Sequence, residues 1–167
     1  DGGEARAYAV DLSDGPAITK LIEDVARDFG GIDILVNNAG IGAGAPIDSD
    51  EYEPIWDRAL SVLLTAHVRT VRAALPYLRK AANPRIVNIA STEGWGASPG
   101  VSPYTAAKTG VIGLTRSLAV ELGPEAITVN CICPGPIRTG KTYNIAEEHK
   151  TIFAKRRVAL RRYAEPE

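Results

Sequence analysis

Residues 85–122, RIVNIASTEGWGASPGVSPYTAAKTGVIGLTRSLAVEL, contain the pattern that decides the fold. The run Arg85–Ser91 is short, mostly apolar and rich in β-branched residues, which is typical of a buried strand. Ser102 and Pro103 are the residue types preferred at a helix N-cap and first helical position, and the spacing that follows predicts a helix through Leu122. A buried strand joined to a long helix is half of a unit with parallel strands.

The same alternation of strand and helix extends through the rest of the chain. Three further strands are predicted, over residues 5–12 (ARAYAVDL), 32–36 (IDILV) and 126–134 (AITVNCICP). Helical spacing predicts helices over 16–29 and about 55–80, the second bent near Pro76. Elements of these lengths predict one α/β domain whose parallel sheet is covered by helices on both faces. The buried face of the longer helix is predicted to carry Trp56, Leu60, Leu63, Leu64, His67, Val68, Val71, Leu75 and Leu78.

Composition and charge exclude several classes of partner. The chain has 167 residues, of which 45% are apolar and 23% charged, enough for a core. Its formal net charge of -1 offers no field that attracts nucleic acid or anionic lipid. No apolar run approaches the roughly 18 residues of a membrane span. We therefore expect a cytoplasmic protein that binds neither nucleic acid nor membrane.

The cysteines and histidines predict neither a disulfide nor a metal site. Cys131 and Cys133 lie two residues apart in a predicted strand, too far for an easy disulfide, so we expect reduced thiols. His67 and His149 have no partners at metal-ligand spacing, so we expect no bound metal.

Tyr104 and Lys108 are the first candidates for chemistry, because positions i and i+4 share one helix face. An ammonium within about 4 to 6 Å lowers the pKa of a phenol by roughly 1 to 3 units. A phenol tuned in this way can act as a general acid or base, which accelerates a reaction by about 10²- to 10⁴-fold. By itself, the pair also fits two solvated neighbours on a helix surface.

Polar segments end three of the predicted strands. Ser91 ends one strand, NNAG at 37–40 ends another, and CPGPIRT at 133–139 ends the last. Each segment alone also fits an ordinary turn. Because the carboxyl ends of parallel strands meet at one edge, where doubly wound sheets bind ligands, we expect one site that also includes the Tyr104 helix.

The order of these motifs resembles the short-chain dehydrogenase/reductase family, in its single-domain, 3-oxoacyl-carrier-reductase-like branch. Ser91 precedes Tyr104 by thirteen residues, as in that family. The resemblance implies a Rossmann-type doubly wound parallel sheet and an NAD(P)-dependent oxidoreductase that interconverts a carbonyl and an alcohol by hydride transfer. The motifs that carry it are VDLSD, NNAG, WDRAL, IVNIAS, YTAAK and PGPIRT.

The resemblance also implies roles for individual residues. Tyr104 is the general acid and base, Lys108 assists its ionisation and holds the nicotinamide ribose, and Ser91 orients the substrate carbonyl. Asp11 contacts the adenine amino group. Ile137 and Thr139 contact the nicotinamide carboxamide. The other implied cofactor contacts are Leu12, Asn37, Ala39, Gly40, Pro134 and Gly135.

Leu63 departs from the family pattern. The family has an asparagine at this position of the long helix, and that residue is thought to hold a water linking the lysine to solvent. Leucine cannot hold a water, so we expect slow turnover. The departure leaves open an alternative reading, a non-catalytic or weakly active dinucleotide-binding homologue. A related epimerase or dehydratase using the same tyrosine and lysine is a further alternative, although NNAG and PGPIRT are closer to simple reductases.

The family's glycine-rich pyrophosphate turn, its first two strands and its last strand have no counterpart in the sequence. We therefore expect residues 1–167 to be one partial domain of a longer protein, in which residues 5–12 lack a sheet neighbour and 32–36 form an exposed edge. The residue that selects between NAD and NADP belongs to the second family strand, so the resemblance implies either cofactor.

The resemblance further implies that residues 140–163 form the substrate loop or lid. The basic run 155–162 fits an anionic substrate or carrier such as acyl carrier protein, and equally a solvated helix face. The expected partners are a small carbonyl or alcohol substrate and further copies of the chain, which would pack through the two long helices.

Overall fold

Three parallel strands form the centre of the computed structural model, which describes residues 2–140 and 142–166. They are β1 Ile34–Asn37, β2 Arg85–Ile89 and β3 Thr128–Ile132, arranged in the order β1-β2-β3. The register pairs Leu35 with Ile86 and Ile86 with Val129. The predicted α/β fold with a parallel sheet is therefore confirmed.

Five α-helices accompany the sheet in the described part of the chain: α1 Gly15–Phe29, α2 Tyr52–Leu60, α3 Ala66–Leu78, α4 Ser102–Leu122 and α5 Glu147–Arg157. Helix α1 begins after Asp14, whose carboxylate accepts a hydrogen bond from the Ala17 amide at 3.1 Å. It ends at Gly30, whose left-handed backbone (φ 82°) terminates the helix without the steric cost of a side chain. The helix predicted over 16–29 is therefore confirmed.

The long helix predicted over 55–80 is not one regular helix. A π turn, Ser61–Thr65, separates α2 from α3, and Pro76 lies inside α3, two residues before its end. A π turn accommodates one extra residue per turn, a local adjustment that apolar spacing does not reveal. Gly110 of α4 allows Leu64 of the π turn to lie against this helix, because a Cβ at position 110 would lie 2.8 Å from Leu64 Cδ2.

The strand predicted over residues 5–12 is wrong. The structure assigns no regular element to them, because a strand is defined by hydrogen bonds to a neighbouring strand and none lies beside them in the described chain. The other three strands are shorter than predicted at one or both ends. The N-cap of α4 is Val101, and Ser102 Oγ instead lies 2.8 Å from the Tyr52 hydroxyl.

The core occupies one face of the sheet. Leu35, Ile86 and Val129 point to this face, where residues of α1, α3 and α4 cover them. On the opposite face, the side chains of Ile34, Val36 and Ile132 remain 60%, 55% and 53% exposed. The prediction of helices on both faces is therefore wrong for the described residues. The helix residues of the core are Ile22, Val71, Ala74, Leu78 and Leu122.

Candidate active site

The carboxyl ends of the strands and the first turns of α4 surround a cavity of about 310 Å³. Its wall includes Leu63 from the π turn and Thr142 from the segment after β3. The structure thus brings together residues that are distant in sequence, at the sheet edge where the site was expected. The predicted site residues in its lining are Gly40, Ser91, Tyr104, Lys108, Pro134, Gly135, Ile137 and Thr139.

Ser91 is held at the end of β2 by its neighbours. The Ala90 amide donates to the Ile132 carbonyl at 2.8 Å, and the Thr92 amide donates to the Pro134 carbonyl at 3.0 Å. Ser91 Oγ accepts a hydrogen bond from the Glu93 amide at 3.2 Å, which caps the 3₁₀ turn Thr92–Gly94. Because this bond uses the oxygen as acceptor, the hydroxyl proton can be donated to a substrate oxygen in the cavity.

Lys108 is 4% exposed although it carries an ammonium group. Its Nζ donates to the Ile89 carbonyl at 2.7 Å and lies 5.8 Å from the centre of the Tyr104 ring. The carbonyl at the end of β2 therefore anchors the lysine beside the tyrosine. This arrangement fulfils the expectation that the two side chains share one helix face at the cavity.

A buried hydrogen-bond network underlies the sheet edge. Asn37 Nδ2 donates to Asn88 Oδ1 at 2.9 Å, and Asn88 Nδ2 donates to Thr115 Oγ1 at 3.0 Å. Thr70 Oγ1 donates to Asn37 Oδ1 at 2.7 Å. The Asn37 side chain therefore bridges the sheet to the helices and lies outside the cavity lining. The contact of Asn37 with a cofactor stays a prediction. Because its side chain is used in the network, its backbone would have to make that contact.

His67 is a buried titratable residue that the sequence placed on an apolar helix face without assigning a role. Burial and, to a lesser extent, the positive charge of Lys108 lower its pKa to about 4, a net value that already includes the opposing effect of a hydrogen bond to the Asn37 backbone carbonyl. His67 is thus a neutral imidazole at pH 7. The signal in the sequence was a histidine among apolar residues at helical spacing.

Asp11, Leu12 and Ala39 do not line the cavity. Asp11 Oδ1 accepts hydrogen bonds from the Ser13 amide at 2.8 Å and from Ser13 Oγ at 2.7 Å, which hold the pKa of this carboxyl below its usual value. These bonds shape the turn before α1. The cofactor contacts expected at the three residues stay predictions.

The segment predicted as a lid contains α5 and returns to the strand-end loop. Ile137 pairs with Ala164 in a parallel bridge, and Arg138 forms two hydrogen bonds with Glu147 at 2.9 and 2.8 Å. Arg138, together with Lys150, lowers the pKa of Glu147 to about 2. Thr142 donates to the Ile137 carbonyl at 2.9 Å. Lys141, inside the predicted lid, lies outside the described residues.

Within 2–140 and 142–166, no three side chains of histidine, cysteine, aspartate or glutamate come together as metal ligands would. Among the helices of these ranges, none has the length and apolar character needed to cross a bilayer. Cys131 and Cys133 are free thiols, and the Trp95 indole N–H lies 3.3 Å from Cys133 Sγ.

The fold and the site together are those of an α/β protein with a parallel sheet, in which a serine, a tyrosine and a lysine line a cavity at the carboxyl edge. A family model described as short chain dehydrogenase matches residues 1–150. The chain belongs to the short-chain dehydrogenase family.

Relatives and solved structures agree with this assignment. The chain is 42% identical over 137 residues to D-beta-hydroxybutyrate dehydrogenase of Rhizobium meliloti, covering 82% of this chain and 53% of that protein. It is 36% identical over 165 residues to a 3-oxoacyl-acyl-carrier-protein reductase of Thermotoga maritima, covering 99% and 66%. The structure of Thermoplasma acidophilum aldohexose dehydrogenase matches with a TM-score of 0.87 and 27% identity, covering 99% of this chain and 69% of that one. The chain thus spans about half to two thirds of these relatives.

Proposed function

We propose that the protein is an NAD(P)-dependent oxidoreductase that interconverts a carbonyl and an alcohol by hydride transfer. The observation that carries the proposal is the meeting of Ser91, Tyr104 and Lys108 in one cavity. Family membership supports it, since its relatives include a hydroxybutyrate dehydrogenase and a 3-oxoacyl reductase. The family uses NAD or NADP, and we propose either as the cofactor.

The lining of the cavity fits a nicotinamide ring. Polar groups of Ser91, Tyr104 and Lys108 share the wall with apolar Leu63 and Ile137, which suits a flat ring carrying one amide. When bound, the nicotinamide supplies or accepts the hydride. We further propose cofactor contacts at Asp11, Leu12, Asn37, Ala39, Gly40, Tyr104, Lys108, Pro134, Gly135, Ile137 and Thr139.

Each catalytic side chain has a separate task in this proposal. The Tyr104 hydroxyl gives a proton to the carbonyl oxygen during reduction and takes it back during oxidation. The Ser91 hydroxyl donates a hydrogen bond to the same oxygen and orients it. The Lys108 ammonium, anchored by the Ile89 carbonyl, lies beside the tyrosine ring and holds the ribose.

We also propose how the substrate is covered in the cavity and how copies of the chain associate. We propose that residues 140–163 cover a small carbonyl or alcohol substrate, since Thr142 lies in the cavity wall. Residues 1–167 would then act as one partial domain. Copies of the chain would associate through α4 and the helices before it.

A second candidate is a non-catalytic or weakly active dinucleotide-binding homologue. Leu63 favours it, because this side chain is 0% exposed and packs with Ala59, Ala107 and Tyr104 beside the reaction site. The two candidates differ in turnover and agree in cofactor binding.

The test is a titration with NADH and NADPH followed by nicotinamide fluorescence, and then assays of 3-hydroxyacid oxidation and 3-oxoacyl reduction. We expect binding, and a loss of about 10²- to 10⁴-fold in kcat for Tyr104→Phe, with cofactor binding largely retained because the other proposed cofactor contacts are unchanged. Tyr77→Phe, on the far part of α3, is the matched control and should keep full activity. Cofactor binding without turnover would favour the second candidate, whereas a fully active Tyr104→Phe would contradict the proposed role.

A further inference from the structure

His67 is a buried polar side chain that the proposed mechanism does not use. It lies in the first turn of α3, is 3% exposed, and its Nε2 has no hydrogen-bond partner among the described residues. Buried polar atoms are nearly always paired, with protein or with ordered water. An unpaired nitrogen in this position therefore calls for a partner.

The contacts of the ring define its tautomer. The imidazole is hydrogen-bonded to the Asn37 backbone carbonyl, which can only accept. Because Nε2 has no partner in the ranges that the structure describes, the nitrogen that donates to this carbonyl is Nδ1. In the neutral ring Nε2 then carries a lone pair, so the missing partner is a hydrogen-bond donor.

Lys108 is the cation whose field reaches the imidazole. It is almost as deeply buried as His67, and one of its three N–H groups is donated to the Ile89 carbonyl. Direct contact between Lys108 and Nε2 is absent, since Nε2 is unpartnered within the described residues. The Asn37 carbonyl that binds the ring and the Ile89 carbonyl that binds the ammonium belong to neighbouring strands, since Asn37 pairs with Asn88 of β2. A buried donor and a buried acceptor held by neighbouring strand ends define a site for one water, which needs two or more polar partners.

We propose that His67 is a positioning residue for Lys108, and that its Nε2 accepts a hydrogen bond from a buried water that in turn accepts one from the Lys108 ammonium. The inference rests on the proposed function, because it assigns His67 a task in holding the lysine at the reaction site. The Ile89 carbonyl and the His67 water then hold the ammonium from two directions. Leu63, which is buried one helical turn before His67, has no polar group that could bind the ammonium.

The first experiment reads the contact without any assay of activity. Imidazole nitrogens of the whole protein are labelled with ¹⁵N and followed by NMR from pH 3.5 to 8, with the exposed His149 as a second resonance. We expect His67 to be the neutral Nδ1–H tautomer near pH 7. Lys108→Met should raise the pKa of His67 by about 1 unit, and Lys108→Arg, which keeps the charge, should leave it nearly unchanged. An Nε2–H tautomer, or a pKa that is the same in Lys108→Met, would overturn the proposal.

The second experiment reads the consequence for catalysis. His67→Phe keeps a flat ring but removes the acceptor, whereas His67→Gln keeps a polar group that can reach the position of Nε2. We expect the alkaline-side rise of the kcat profile for alcohol oxidation to move to higher pH by about 0.5 unit or more in His67→Phe, and to return in His67→Gln. A uniform loss of rate without a displaced profile would mean a purely structural role.

The two experiments separate this proposal from the proposed function. Cofactor titration decides whether the protein is a dinucleotide-binding enzyme, whereas the NMR titration decides whether His67 and Lys108 interact. If His67→Phe does not fold, the wild-type spectrum and the two Lys108 variants still decide the contact.

Discussion

Leu63 and His67 lie one helical turn apart and differ in polarity. Leu63 is fully buried in a small apolar cluster with Ala43, Ala59 and Ala107, whereas His67 has a ring nitrogen with no hydrogen-bond partner in the described part of the chain. The sequence alone indicated that position 63 had lost a polar group. Only the structure shows that the imidazole at position 67 is hydrogen-bonded to the Asn37 carbonyl and is subject to the positive charge of Lys108.

Leu63→Asn is expected to raise kcat by roughly 10-fold or more, because an amide at this position can hold a water near Lys108. The same change buries an amide in an apolar cluster and is expected to destabilise the protein by about 2 to 4 kcal/mol. Steady-state kinetics and urea unfolding measure the two effects. Leu63→Met, which keeps the position apolar and nearly the same size, is the control and should leave kcat unchanged.

The gain from Leu63→Asn is expected to be larger when His67 is phenylalanine, since both polar groups would serve the same lysine. Equal kcat values for the wild-type protein and Leu63→Asn would contradict the interpretation of Leu63 as a cause of slow turnover.

At the scale of elements, the contact between the 3₁₀ turn Thr92–Gly94 and α4 sets the distance between Ser91 and the tyrosine-lysine helix. A Cβ at Gly94 would lie 2.7 Å from Ile112 Cδ1 and 3.0 Å from the Lys108 carbonyl oxygen. The second contact is to backbone, which cannot rotate away. The glycine therefore allows the turn to lie directly on the helix at the residue that carries the lysine.

Gly94→Ala is expected to destabilise the protein by about 1 to 3 kcal/mol, because the turn must move away from α4. It is also expected to lower kcat/KM, since Ser91 moves with the turn. Gly113→Ala is the matched control on the same helix, where a Cβ would meet nothing within 4 Å. That exchange should stabilise the protein by about 0.5 to 1 kcal/mol. Thermal unfolding of both variants measures the difference, and equal losses would contradict the role of the contact.

At the scale of the whole molecule, the described helices leave one face of the sheet open. Ile34, Val36 and Ile132 present apolar surface there, and β1 and β3 each have one edge without a strand neighbour in the described chain. Exposed apolar faces and open edges promote association between copies of a chain.

Val36→Lys is expected to shift the chain of 167 residues toward smaller species in sedimentation velocity, because a charge on an edge strand opposes pairing. Ile47→Lys replaces an apolar residue that is also exposed but lies in a loop, and it should leave the distribution unchanged. Indistinguishable distributions for Val36→Lys and the wild type would show that association uses another surface, such as the long helices.

The buried imidazole also predicts how stability depends on pH. His67 has a pKa of about 4 in the folded protein against 6.5 in the unfolded chain, so the unfolded chain binds the proton more readily between these values. The contribution of the neutral His67 ring to the free energy of unfolding is therefore fully present above pH 6.5 and is lost as the pH falls toward 4. Each pKa unit is worth about 1.4 kcal/mol, so the loss at pH 4.5 is about 2 to 3 kcal/mol.

Urea unfolding at pH 7 and pH 4.5 tests this dependence. His67→Gln cannot take up the proton, so it is expected to lose about 2 to 3 kcal/mol less than the wild-type protein over the same interval. All other titrating groups are common to both proteins and cancel in the comparison. The same loss in both would show that His67 is not buried as a neutral ring.

The sequence by itself determined the order of β1 to β3 and of the helices between them, and most of the cavity lining. Spacing and residue type are local properties, so α1, α4 and the polar residues that follow each strand could be read directly. Ser91, Tyr104 and Lys108 could be placed together because parallel strands bring their carboxyl ends to one edge.

The tertiary structure decided what depends on neighbours that are distant in sequence. Residues 5–12 have strand-like composition but no strand to pair with in the described chain. The Asn37 side chain is hydrogen-bonded to Asn88, a contact that the local sequence pattern does not predict. The π turn and the burial of His67 likewise depend on how the π turn packs against α4 and how α3 packs against β1. Pairing, burial and the field of Lys108 are set by distance in space, which spacing along the chain does not specify.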